Sequence, residues 1–204
     1  MRITTLFVSF ILLASCSSVD SLRSDYEFST SNNVGYILIS FSEDIKKANQ
    51  TWGFPGFSSI ILKSSNSQSL TLRNQFPGTH NYTPLDYGDN QLSRGHVYVF
   101  PVKPGKWKLS DWDLSYGGLV TRRFFESFEG SSEIDIRSGQ FIYAGDIHFN
   151  YDVEKTTFSY PNITNLNIKV EDKWDEQKEI FTGKYHHLPA SFVQKSIFKL
   201  KTGE

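Results

Sequence analysis

Two stretches of the chain are apolar on both faces, and they limit what it can fold into. Val34 to Phe41 reads Val-Gly-Tyr-Ile-Leu-Ile-Ser-Phe, and His96 to Val102 sets Val97, Tyr98, Val99 and Phe100 side by side. Successive side chains of a strand point to opposite faces, so such a strand needs cover on both sides. Two central strands of a layered β structure are therefore expected. Phe57 to Lys63 and Gln68 to Arg73 add strands on either side of a turn at Ser64-Ser65-Asn66-Ser67. Val120 to Phe128 is a Phe-rich candidate strand. Ser131 to Arg137 alternates Ile134 and Ile136 with charges, then meets a turn at Ser138-Gly139. Gln140 to Tyr151 reads as one strand with Phe141, Tyr143, Gly145, Ile147, Phe149 and Tyr151 on one face. Leu166, Ile168 and Val170 alternate with Asn167, Lys169 and Glu171, which suits a last strand with one wet face.

Asp172 is placed to cap a short helix from Lys173 to about Thr182, with Asp175 and Glu176 in its favourable first turn. Trp174, Phe181 and Tyr185 give that helix one weak apolar stripe. Asn74 to Ser93 contains Pro77, Gly78, Pro84 and Gly88 and is expected to be a surface loop with room for a short strand. No repeat of solenoid size is present. The expected fold is mainly β, an antiparallel β-sandwich with a short C-terminal helix.

His96 to Val102 leads through Pro104-Gly105 into Lys106 to Ser110, where Trp107 and Leu109 alternate with Lys106 and Lys108. This reads as a hairpin of two antiparallel strands. An apolar strand running through Pro-Gly into Lys-aromatic-x-Leu resembles prealbumin-like sandwiches, including carboxypeptidase regulatory-like domains. The segment Ile134 to Gly145, an apolar strand, a Gly turn and a Tyr-containing strand, is similar to uncharacterised bacterial lipoproteins with such sandwiches.

The N-terminus supplies the most specific motif. One Arg (Arg2) is followed by an apolar run from Ile3 to Leu13, broken by Thr4, Thr5 and Ser9, and then by Leu13-Ala14-Ser15-Cys16. A positive start, a short apolar stretch and small residues before a cut site describe an export signal. A spanning helix needs about 20 apolar residues, and this run fails before Ser17. An ordinary secretory signal would leave a reactive thiol in an oxidising compartment. The pattern resembles the lipobox of bacterial lipoproteins. That resemblance implies cleavage between Ser15 and Cys16, acylation of Cys16 and anchoring in the cell envelope. Ser17 is similar to the residue of lipoproteins sent to the outer membrane, where inner-membrane ones commonly carry Asp. Residues 1–15 are then the signal and 16–32 the lipidated Cys and a flexible tether, with an ordered strand at Tyr26 to Phe28 as the alternative. Residues 33–204 form the sandwich with its helical appendage.

Removing residues 1–15 from the 204 leaves 189, enough for one domain with a real core. Cys16 is the only Cys, so no internal disulfide is available and the core must hold the fold. The excess of Phe, Tyr and Trp favours strands. A formal charge of −1 gives no basic footprint for nucleic acid.

Chemistry-bearing patterns are few. Asp146, His148 and Asn150 are expected on one strand face, opposite the aromatic one, with His80, His186 and His187 available to complete a metal or acid–base site. A wet outer face explains the same residues. Asp111 and Asp113 flank Trp112 and could share a face as paired carboxylates, but the strand is expected either to end or to bulge near Ser110, leaving both in solvent. Nucleophile elbows, phosphate loops and Cys–His pairs are absent. Trp52-Gly53-Phe54-Pro55-Gly56-Phe57 sets aromatics among strand breakers, where Trp52 and Phe54 either anchor a partner or plug the sandwich end. The expectation is a non-catalytic binding or assembly module without a cofactor, held to the membrane by lipid, with an envelope protein or glycan as partner. A small hydrolase or metal-dependent enzyme is the alternative.

Overall fold

The computed structural model describes residues 18–19, 21–29, 33–46, 54–75, 85–88, 93–117, 121–154 and 162–201. Its strands are Ser18–Val19 (β1), Gly35–Lys46 (β2), Phe54–Ser64 (β3), Ser69–Gln75 (β4), Tyr87–Gly88 (β5), Ser93–Val102 (β6), Gly105–Gly117 (β7), Thr121–Ser127 (β8), Glu133–Ile136 (β9), Phe141–Glu154 (β10), Asn162–Glu171 (β11) and Val193–Lys195 (β12). One α-helix, Trp174–Lys184 (α1), lies between β11 and β12. The strands form two sheets. Sheet A has the order β1-β4-β3-β7-β8, with β9 also on β7. Sheet B has the order β11-β10-β2-β6-β5, with β12 also on β10. The fold is a mainly β sandwich. Most pairings are antiparallel, while β1–β4, β2–β10 and β10–β12 are parallel.

Both strands that are apolar on two faces lie in sheet B. Ile37, Ile39 and Phe41 of β2 and Phe100 and Val102 of β6 face sheet A, where Ile60, Leu62, Leu70, Leu72, Trp107, Leu109, Trp112 and Leu114 meet them. Tyr36, Leu38, Val97 and Val99 face the other way, into a second core closed by Trp174 and Phe181 of α1, by its C-cap residue Tyr185 and by Leu188. The molecule therefore has three layers: sheet A, sheet B and a helical cover. The apolar stripe of α1 is thin, but its rings Trp174 and Phe181 and the Tyr185 ring just past its end are all used. The N-cap is Lys173, without a side-chain cap bond, rather than the expected Asp172; Asp172, one residue earlier, accepts from the Trp174 amide through Oδ1 at 3.2 Å, because the helix starts one residue later than expected.

Residues 21–29 belong to the third layer. Leu22, Tyr26 and Phe28 pack on the second core, and the Leu22 amide donates to Val99 O at 2.8 Å. Phe28 sits edge-on to Tyr36 and Phe141 at 5.3 and 5.6 Å between ring centroids. The stretch anticipated as a free tether is thus laid against sheet B over these residues, without forming a strand.

The hairpin expected at Pro104-Gly105 is not one. β6 pairs with β2 and β5, whereas β7 pairs with β3, β8 and β9, so Lys103-Pro104 crosses from one sheet to the other. Packing explains the crossover. Side by side, β6 and β7 would leave β6 without its layered cover. Set in opposite sheets, they turn Phe100, Val102, Trp107 and Leu109 toward one another.

The single aromatic face expected on β10 is also split. A bulge falls between Tyr143 and Asp146, with Gly145 at φ +110°. Phe141 and Tyr143 face α1, while Ile147, Phe149, Tyr151 and Val153 face sheet A. One extra residue reverses the parity of everything after it.

Candidate functional site

The bulge at Gly145 turns Asp146 toward α1, and a polar network gathers around it. Beyond the apolar pair Tyr36 and Leu38, the same face of β2 continues as Ser40, Ser42 and Asp44, because period-two alternation places them there. Asp146 is fully buried. Its Oδ2 accepts from Ser42 Oγ at 2.8 Å and from Lys173 Nζ at 3.1 Å; its Oδ1 accepts from the Tyr87 hydroxyl at 3.2 Å. Tyr87 reaches it from the edge strand because Gly95 has no side chain: a Cβ there would lie 2.1 Å from the Tyr87 ring. Gln177 of α1 completes the network. Its Oε1 accepts from Ser40 Oγ at 2.7 Å and from the Tyr143 hydroxyl at 2.9 Å, and its Nε2 donates to the Tyr87 oxygen at 3.3 Å.

Burial alone pushes the Asp146 carboxyl upward, but the Ser40 and Ser42 hydroxyls and the Lys173 ammonium outweigh it and hold the group below the usual carboxylate range. Burial lowers the Lys173 ammonium, yet Asp146 and Glu171, the latter 3.1 Å away, raise it overall. Burial and the Asp146 charge push the Tyr87 phenol up, so it stays a neutral donor.

Toward solvent the network continues through His148. Ser42 Oγ lies 2.9 Å from His148 Nδ1, and His148 Nε2 lies 3.4 Å from Asp44 Oδ2. Ser, His and Asp in line suggest nucleophilic catalysis, but Ser42 Oγ also lies 2.8 Å from the Asp146 carboxylate. Ser42 has one hydroxyl proton and gives it to the Asp146 carboxylate, which can only accept. In that arrangement, with the His148 tautomer that carries hydrogen on Nδ1, the Ser42 Oγ accepts from the ring.

Of the expected Asp146–His148–Asn150 face, the first two residues do share this network. They lie on the helix-covered side of sheet B, which also holds Phe141 and Tyr143, so the expectation of opposite faces fails for those two rings. His186 and His187 follow the far end of α1 and are exposed, roughly 16 Å of helix away from Lys173. His80 lies outside the described residues. Among the described residues, no three His, Cys, Asp or Glu groups converge as metal ligands.

The bulge expected near Ser110 is present: the β3–β7 register shifts there, and both Leu109 and Trp112 point into the core. Asp111 and Asp113 do turn to the outer face of sheet A, but they are buried, which corrects their expected solvation. Asp111 accepts from Lys63 Nζ at 2.9 Å, Ser110 Oγ at 2.6 Å and Ser127 Oγ at 2.8 Å.

Trp52, Ser15 and Cys16 lie outside the described residues. Phe54 is the first residue of β3, opposite Gly117, so Pro55 and Gly56 do not keep a strand from starting there; the register shifts between Pro55 and Phe57 instead.

The pattern gave no notice of a buried ion pair between the sheets. Glu43, set between Phe41 and Ile45, pairs with Arg94 directly across from it on β6, with Nε to Oε2 at 2.6 Å. Full burial pushes the Glu43 carboxyl up against the pull of Arg94. Asn74 Nδ2 reaches the Phe41 carbonyl from sheet A at 3.4 Å. Ser42, Lys173 and Gln177 were likewise missed. Their one sequence signal is the polar continuation of the β2 face at Ser40, Ser42 and Asp44. No family model matches the chain, and neither a curated protein nor a solved structure matches it.

Proposed function

We propose that the chain is a lipid-anchored protein of the bacterial cell envelope, at the outer membrane, and that its domain is a non-catalytic module for binding or assembly. The lipobox-like Leu13-Ala14-Ser15-Cys16 supports the anchor. The observation that carries the second half is the use of Asp146. Its acceptor oxygens are occupied by Ser42, Lys173 and Tyr87, and those bonds fasten α1 and the edge of sheet B. The strongest ionisable cluster among the described residues is thus consumed in holding the scaffold. Trp52 and Phe54 are the proposed anchors for an envelope protein or glycan.

Affinity capture with the native lipidated protein, after crosslinking in the envelope, tests this reading. Changing Trp52 and Phe54 to Ala is expected to weaken capture by at least roughly thirtyfold at an unchanged thermal midpoint. His148→Ala should leave capture intact. The Ser42–His148–Asp44 line favours a second reading, a small hydrolase or metal-dependent enzyme. Labelling of Ser42 by a fluorophosphonate, lost in Ser42→Ala, or a stoichiometric bound metal in the purified protein would replace the first reading with this one.

A further inference from the structure

The first described residues fix where an N-terminal anchor meets the domain. β1 runs parallel to β4, with Ser18 beside Ser69 and Val19 beside Leu70. Ser69 opens β4 directly after the Ser64–Gln68 turn, so Ser18 lies at the end of the sandwich that holds this turn. Cys16 is two residue steps from Ser18, with Ser17 between them, and extended chain spans at most about 7 Å over that length.

That end is closed by short turns bound to one another. Asn66 Nδ2 donates to Pro104 O at 3.0 Å, the Ser65 amide to Lys106 O at 2.9 Å, and the Lys103 amide to Gln68 Oε1 at 3.2 Å. Gly105 is paired with Ile136, which brings the Arg137–Gly139 turn alongside. The opposite end holds Lys46 of β2 and Ser93 of β6. β2 alone spans roughly 40 Å at a strand's rise per residue.

The turn end is basic. Lys63, Lys103, Lys106, Lys108 and Arg137 are all exposed there. Lys63 and Lys108 are direct neighbours across β3 and β7, a like-charge pair that a sheet does not favour for its own stability. Three carboxylates answer these five cations: Asp111 on Lys63, Glu133 on Lys106 at 3.3 Å, and Asp135 on Arg137 at 3.8 Å. Lys103 and Lys108 have no ion pair among the described residues. The 21–29 stretch beside it, where Tyr26 and Phe28 pack on Tyr36, adds exposed Arg23, Asp25 and Glu27, so that six cations face five carboxylates, still a positive excess on a chain whose formal charge is −1.

We infer that this turn end is the membrane-facing surface of the domain and that it takes anionic phospholipid headgroups. The sandwich stands on the leaflet at its basic end, with the far end, which holds Lys46 of β2 and Ser93 of β6, roughly 40 Å out. The inference rests on the proposed lipid anchor for its geometry and on the exposed lysines for its chemistry.

Amine footprinting of the full lipidated chain tests it. On vesicles of equal parts phosphatidylglycerol and phosphatidylcholine, acylation of Lys103 and Lys108 should slow about fivefold relative to Lys46, the factor that one cation's attraction to an anionic leaflet supplies. On phosphatidylcholine alone, or at about 0.5 M salt, the difference should vanish. Lys103→Glu with Lys108→Glu should abolish protection of Lys106 while the protein still floats with the vesicles on its acyl chains. Equal protection of Lys46, or protection unchanged on neutral vesicles, overturns the inference. Failure of the anchor is seen separately, as an unlipidated mass and a free Cys16 thiol. Coupling that thiol to a maleimide-bearing lipid then places the same chain on the same vesicles, and the comparison of Lys103 and Lys108 with Lys46 still decides.

Discussion

At the scale of single residues, Asp146 has the largest predicted effect outside the apolar cores. Asp146→Ala strands Ser42, Tyr87 and Lys173 against a buried gap and is expected to cost about 3 kcal/mol in chemical denaturation. The group also has a pH signature. Its folded pKa is depressed, so its contribution is complete above the ordinary aspartate value of about 3.9 and is lost as pH falls through the lower folded value. Lys173 has the opposite sign: its folded pKa is raised, and its contribution fades as pH climbs through that raised value. Asp146→Asn should therefore flatten part of the acid limb of a stability–pH curve. The remainder of that limb belongs to other depressed carboxyls, such as Asp86 and Asp111. Trp107 is fully buried between the sheets, and Trp107→Ala should cost about 3–5 kcal/mol. The aromatic and aliphatic members of the cores were legible in the sequence because alternation marks them. Asp146 and His148 were found as a pair, but their partners were not. Ser40 and Gln177 look like ordinary surface residues until α1 folds over sheet B.

Among the elements, β10 shows where a periodic reading fails and why. Phe141 to Tyr151 alternates without a break in the sequence, yet the strand serves two cores, because Gly145 takes φ +110° and adds a residue to the register. Glycine marks such a place without saying that a bulge will form there. At Gly145 a Cβ would lie 2.8 Å from Val170 Cγ1 and 3.1 Å from Ile197 Cγ2. Gly145→Val is thus expected to lose about 1–3 kcal/mol, from positive φ and overpacking together. Because Asp146 is aimed by this bulge, hydrogen exchange should accelerate in α1 more than in β3 or β7. The crossover at Pro104-Gly105 was misread for a different reason. A short Pro-Gly connection between two strands is what a hairpin requires, and nothing local distinguishes it from a step between sheets. The deciding quantity is the burial of both faces of β6, which is a tertiary demand.

For the whole molecule, the third layer means that the domain begins before residue 33. A chain truncated there loses Leu22, Tyr26 and Phe28 from the second core. Its thermal midpoint should fall, with a loss of about 2–4 kcal/mol from three partly buried side chains. Unchanged melting would show that residues 21–29 add nothing to the fold. The centre of sheet B carries a further consequence, one of timing. β2 is bonded in parallel to β10, so Tyr36 waits for Phe141, about a hundred residues later, and pairings this distant close slowly. A chain delivered N-terminus first exposes its most apolar strand on the order of ten seconds of synthesis before that partner exists. Folding of such a chain leans on a holding chaperone, and a nascent chain halted before residue 141 should be recovered bound to one or aggregated.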